Sequence, residues 1–131
     1  METNTSFDHP AGTGARQQTG ARGEVLARGL LESLGHTVIE ANWRCRFGEI
    51  DLITEGPDGV LHIVEVRTRS GSGFGTAAES VTPSKRSRLR RLASYWLADY
   101  KPRWARVSFD VVTVEFRGSA VPEIEHLEDV F

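Results

Sequence analysis

The chain has 131 residues, a formal net charge of −2 and 39% apolar residues, enough for one domain whose core needs no disulfide. The lone Cys45 excludes an intramolecular disulfide and fits a reducing cytoplasm. The sequence opens without a basic-then-apolar leader pattern, and no apolar run is long enough to span a bilayer, so the expectation is a cytoplasmic protein with no membrane partner.

The net charge hides an asymmetry. Between Pro83 and Arg106 stand eight basic residues (Lys85, Arg86, Arg88, Arg90, Arg91, Lys101, Arg103, Arg106) against Asp99, whereas from Asp110 to the end six acids face Arg117. A local basic face can bind phosphate even when the whole chain is slightly acidic.

Residues 1–18 mix Thr, Gly, Asn, Asp and Pro with almost no apolar periodicity and are expected to be a disordered tail preceding one domain over 19–131. Thr19 would cap a helix from about Gly20 to Leu34, ended by Gly35, with Ala27, Leu30, Leu31 and Leu34 as its apolar stripe. Glu24 falls at the edge of that stripe. It either complements the helix dipole or points inward toward a site.

His36 to Trp43 reads as a first strand, and Phe47–Thr54 and Val60–Thr68 as the next two, joined by the turn Glu55-Gly-Pro-Asp-Gly59. The third strand is largely apolar on both faces, which predicts cover on both sides. Arg69-Ser-Gly-Ser-Gly-Phe-Gly75 lacks the Gly-Lys-Ser/Thr ending of a phosphate loop and reads as a mobile lip. Thr82-Pro83 opens a second helix with Leu89, Leu92, Ala93, Trp96, Leu97 and Tyr100 as its buried stripe. Its first-turn Lys85 leans toward the sheet, while Arg88, Arg90 and Arg91 occupy its flanks and back. Val107–Phe116 supplies a further strand, and Val121–Ile124 a short edge strand. The order is α-β-β-β-α-β with a possible extra edge strand.

The central hairpin carries Glu49 and Asp51 on one strand and Glu65 and Arg67 on the next, interrupting otherwise apolar faces. Alternation puts each pair on one face, and an even register puts all four together. Like charges opposed across a hairpin destabilise it, so a positive group must stand nearby: Arg67, Lys85 or a divalent cation. Mg²⁺ (or Mn²⁺) takes one or two carboxylates plus waters and substrate phosphate, and Asp51 and Glu65 are the natural ligands. The bland alternative is a surface salt-bridge cluster. The four histidines (His9, His36, His62, His126) show no metal-ligand spacing, and His62 reads as a core or partner residue. Trp43, Trp96 and Trp104 read as core, with Trp104, between Arg103 and Arg106, the one suited to base stacking.

Gly23-Glu24, Gly35, Asn42-Trp-Arg44, Gly48-Glu-Ile-Asp51, Val64-Glu-Val-Arg67 and Phe109-Asp-Val-Val112 together resemble the YraN family of bacterial proteins. That family is similar to the archaeal Holliday junction resolvases within the PD-(D/E)XK nuclease-like superfamily. The resemblance, from about Thr19 to Phe116, implies a restriction-endonuclease-like α/β core, a central mixed β-sheet flanked by helices. It implies that Asp51 and Glu65 are the metal-binding acids and Glu24 the first-helix glutamate, with Arg67 in place of the signature lysine. Arginine holds phosphate bidentately but cannot accept a proton. Lys85 would then reach in, the role would be electrostatic, or cleavage would be lost. Glu49 is expected to pair with Arg44, Arg46 or Arg67, and Asp110 matches the family without a mechanism.

The leading expectation is therefore a Mg²⁺-dependent nuclease-like protein acting on or binding branched or junction-like DNA. Glu24, Asp51, Glu65, Arg67 and Lys85 would form its site, and Arg86, Arg88, Arg90, Arg91 and Arg103 would contact the backbone. A homodimer would match a two-fold junction. The alternatives are an inactive nucleic-acid-binding module on the same fold, favoured by Arg67, and a protein-interaction domain.

Overall fold

The computed structural model describes residues 11–70, 81–99, 104–118 and 120–131. Runs rich in valine, isoleucine and threonine form strands β1 (Thr37–Cys45), β2 (Gly48–Glu55), β3 (Leu61–Ser70), β4 (Val107–Phe116) and β5 (Glu123–Leu127). Helix α1 (Ala11–Ser33) precedes them, and α2 (Pro83–Asp99) lies between β3 and β4. The strands make one mixed sheet in the order β1-β2-β3-β4-β5, antiparallel throughout except for the parallel pair β3–β4. A parallel pair needs a long crossover, and the segment containing α2 provides it.

Both faces of β3 are covered, as its double apolar pattern requires. On one face Leu61 and Ile63 join Ile53, Leu89, Leu92, Ala93 and Trp96, so α2 closes that core. On the other, Val64 joins Leu52, Val112, Val114, Ala27 and Leu31 under α1. The expected α/β architecture, a mixed sheet with helices on both faces, is what forms.

Local signals explain most boundaries. Gly35 has φ +93° and ends α1 in a left-handed turn. Its amide donates to Glu32 O at 3.0 Å and that of His36 to Leu31 O at 2.9 Å, the paired bonds of a Schellman cap. Thr82 caps α2, its Oγ1 accepting from Lys85 N at 3.2 Å.

Two boundaries need correction. Helix α1 begins at Ala11, so Thr19 lies inside it and the tail expected over 1–18 overlaps its first turns. The Ala-Arg-Gln-Gln run at 15–18 favours helix by propensity although it carries no apolar stripe. Residues 1–10 lie outside the described residues, as do most of the Gly-rich lip, Tyr100 and Arg103. The edge strand starts at Glu123 rather than Val121, because Pro122 cannot donate to a ladder, and it runs on to pair Leu127 with Val111. Among the described residues, no helix is long and apolar enough to cross a membrane.

Candidate functional site

The hairpin bends where its charges begin. Ile50 packs in the α2-side core and Leu52 in the α1-side core, so β2 turns over between them, opposite Asn42 with its φ of +56°. The β2–β3 ladder stops at Leu52↔Val64. One residue beyond, the Asp51 side chain takes the ladder's place, Oδ2 accepting from Val66 N at 2.7 Å. Asp51 is thus fixed by the backbone of the strand that carries Glu65 and Arg67.

Helix α1 brings in the third acid. A Cβ on Gly23 would overlap the Thr68 side chain, so glycine lets the helix lie against β3. The next residue, Glu24, is held by a hydrogen bond with the Asn42 side chain.

These elements enclose a cleft of about 490 Å³ whose charged lining is Glu24, Glu49, Asp51, Glu65, Arg67 and Arg88. Glu65 is only 8% exposed, and both its oxygens are engaged. Arg67 Nη1 lies 3.3 Å from Oε2 and Arg88 Nη2 3.2 Å from Oε1. Glu49 pairs across β1–β2 with Arg44 Nε at 2.9 Å, the structural pairing expected of it. Asp51 has no cationic partner among the described residues. Burial, followed by the like charges of Glu24, Glu49 and Glu65, outweighs its bond to Val66 and pushes its pKa up to about 7. Burial likewise raises Glu24, against the Asn42 hydrogen bond. The cleft therefore carries more buried negative charge than its arginines neutralise. The oxygen donors Asp51 and Glu65, with Glu24 beside them, are of the kind that could hold a hard cation.

The cleft gathers Glu24, Asp51, Glu65 and Arg67 as the sequence suggested, but Lys85 is not among its lining residues. One turn further along α2, Arg88 enters instead: its guanidinium, which reaches further from the backbone than a lysine ammonium, meets Glu65 from the flank of the helix, where the sequence suggested only backbone contacts. Arg90 is also reassigned. Its Nη2 donates to Phe131 O at 2.9 Å and its guanidinium lies 4.4 Å from the Phe109 ring centroid, so it pins the C-terminal segment. Arg86 and Arg91 are exposed. Trp104 packs against the α2-side core with its ring centroid 5.8 Å from that of Trp96, as a core residue would, not as an open stacking platform.

One cluster went unread in the sequence. His62 Nδ1 and His126 Nε2 each lie 2.7 Å from Asp110 Oδ2. His36 stands beside them, its ring centroid 4.6 Å from that of His62 and its Nδ1 2.8 Å from Thr54 Oγ1. His36, His62 and His126 are not scattered in space. Forty-eight residues separate His62 from Asp110, so no spacing could reveal the cluster; the only sequence signal was a polar residue at an inward position in each of two apolar strands. Asp110, fully buried, is held well below the usual carboxylate range by its hydrogen bonds from the two histidines, Ser108 and Asp129 N, against the opposing effect of burial.

A five-stranded mixed sheet with a helix on each face and an acid-and-arginine cleft beside its central hairpin defines an α/β protein with one strongly polar recess. The chain belongs to the family described as Uncharacterised protein family UPF0102, whose model matches residues 23–114. It is 51% identical over 122 residues to a UPF0102 protein of Mycobacterium sp. (strain KMS), covering 92% of this chain and 90% of that one. A UPF0102 protein of Nocardia farcinica is 47% identical over 121 residues, covering 92% and 94%. One from Rhodococcus opacus (strain B4) is 47% identical over 112 residues, covering 86% and 94%.

Proposed function

We propose that the cleft is the active site of a divalent-metal-dependent nuclease-like protein that acts on branched or junction-like DNA, on a restriction-endonuclease-like core. The observation that carries this reading is the convergence of Glu24, Asp51 and Glu65 from α1, β2 and β3 on one recess in which Asp51 has no cationic partner among the described residues. Asp51 and Glu65 would hold Mg²⁺ or Mn²⁺, which when bound supplies Lewis-acid neutralisation of charge on a phosphodiester.

The chain's own residues divide the remaining tasks. The Val66 amide orients Asp51 toward the cleft. Arg67 and Arg88, which now compensate Glu65, are placed to transfer hydrogen bonds to phosphate oxygens as substrate enters. Neither can accept a proton. Glu24, whose pKa burial raises, is the carboxylate suited to take a proton from an attacking water. Exposed Arg86 and Arg91 extend the positive face along α2 for sequence-independent backbone contacts.

The test is cleavage of a four-way junction in Mg²⁺ by the parent, Asp51→Ala and Glu65→Ala. Loss of product in both variants supports the assignment, and equal activity in all three refutes it. A second reading, a module on the same fold that binds DNA without cutting, is favoured by the pairing of both Glu65 oxygens with arginines. It is selected if salt-sensitive binding survives chelation and no product forms.

A further inference from the structure

We propose that His62, Asp110 and His126 form a second metal site, for a borderline transition ion of the zinc class, which clips the edge strand β5 to the sheet. It is independent of the carboxylate cleft.

The three side chains come from three neighbouring strands. Asp110 pairs with Val64, two residues along β3 from His62, and His126 pairs with Val112, two residues along β4 from Asp110. Side chains two apart on a strand share a face, so all three project to the α1 side of the sheet. Their ligand atoms lie within 4.8 Å of one another. His62 is 4% exposed, Asp110 fully buried and the His126 side chain 6% exposed, so the donor set is shielded from water.

The donors are two imidazole nitrogens and one carboxylate oxygen. Zn²⁺, Co²⁺, Ni²⁺ and Fe²⁺ favour this mixture, whereas Mg²⁺ prefers oxygen alone. The carboxylate is already oriented. Ser108 Oγ donates to Oδ1 at 2.6 Å and Asp129 N donates to it at 3.0 Å, turning Oδ2 to the two imidazoles. Glu128 Oε2 lies 3.9 Å from His126 Nδ1, so its negative charge favours the tautomer that carries the proton on Nδ1 and leaves Nε2 free to bind. With no ion, each imidazole meets Oδ2 at 2.7 Å. Tetrahedral ligands at about 2.0–2.1 Å from zinc stand about 3.3 Å apart, so the histidines would withdraw from Oδ2 by about half an ångström. On binding, each ligating nitrogen is unprotonated. The proton it held moves to the other ring nitrogen, or leaves to solvent if the ring was an imidazolium. One further ligand completes a tetrahedral shell.

The carboxylate cleft lies toward the other end of β3, with Glu65 and Arg67. Failure of the nuclease reading leaves this site untouched, and the reverse also holds.

The experiment titrates Co²⁺ into the full chain carrying Asp51→Ala and Glu65→Ala, which removes the cleft's ligands. Expected are one Co²⁺ per chain with a visible d–d absorption, its displacement by Zn²⁺, and a Zn²⁺-dependent rise in Tm. His62→Gln and His126→Gln should each abolish the absorption. Because either may fold poorly, the histidine ¹⁵N resonances of the same Asp51→Ala, Glu65→Ala chain are followed during Zn²⁺ addition, and His62 Nδ1 and His126 Nε2 should shift as ligands. Absence of a Co²⁺ band, a band retained in both glutamine variants, or unmoved imidazole resonances overturns the proposal.

Discussion

Asp51→Asn isolates the physics of the cleft with little change of shape. The asparagine Oδ1 still accepts from Val66 N, while the charge that Glu24, Glu49 and Glu65 oppose is gone. In the folded chain the Asp51 pKa stands at about 7 against 3.8 for the free group. A raised carboxylate pKa means that the folded state prefers the protonated form. The contribution of Asp51 is therefore fully present below about pH 4 and is lost as pH rises through about 7. Three units at about 1.36 kcal/mol each set a ceiling of about 4 kcal/mol. Asp51 is half-buried and lines an open cleft, so solvent screening reduces the expected loss over the whole window to about 2 kcal/mol.

Urea unfolding followed by tryptophan fluorescence in EDTA, at about pH 5 and about pH 8.5, reads this directly. Part of that loss is already taken by about pH 5, so the parent should lose about 1 kcal/mol more than Asp51→Asn between the two conditions, and the variant should be the more stable at alkaline pH. At Mg²⁺ ten times its Kd the parent should regain about 1.4 kcal/mol at the higher pH and the variant much less. Parallel pH profiles, or equal stabilisation of both by Mg²⁺, would refute the reasoning.

Gly23→Ala should cost about 1–3 kcal/mol in urea unfolding through overlap with Thr68, and Thr68→Ala in the same chain should recover part of it; additive effects would show that the close approach does not matter. Arg90→Ala should lower stability by about 1–2 kcal/mol and raise hydrogen exchange at the amides of Val130 and Phe131, both bonded to Phe109 O, with little change in DNA affinity. Arg86→Glu with Arg91→Glu should do the opposite, weakening DNA binding and reducing the salt slope by about one unit per lost phosphate contact; an unchanged slope would remove α2 from the interface.

Local chemistry carried most of the architecture. The strands, the turn at Glu55–Gly59, the Gly35 cap and the Thr82-Pro83 start all follow from short-range preferences that the tertiary structure had no reason to override. The acids were legible for a related reason. Asp51 and Glu65 break apolar strand patterns, and a charge in such a place draws attention wherever the chain goes. Lys85 and Arg88 were not separable in this way. They lie one turn apart on α2, and which cation enters the cleft depends on side-chain length and on how the helix sits over β2.

The sequence by itself determined the order of elements, the doubly covered β3 and the candidate acids, because alternation and helical period are properties of neighbours in the chain. Only the tertiary structure decided that β2 turns over at Asp51, that Arg88 rather than Lys85 meets Glu65, and that His62, Asp110 and His126 assemble. Those facts depend on strand register and helix placement, where residues 48 positions apart come to lie 2.7 Å from one another. A one-residue slip in β3–β4 or β4–β5 would turn a histidine to the opposite face and leave Asp110 buried without its partner.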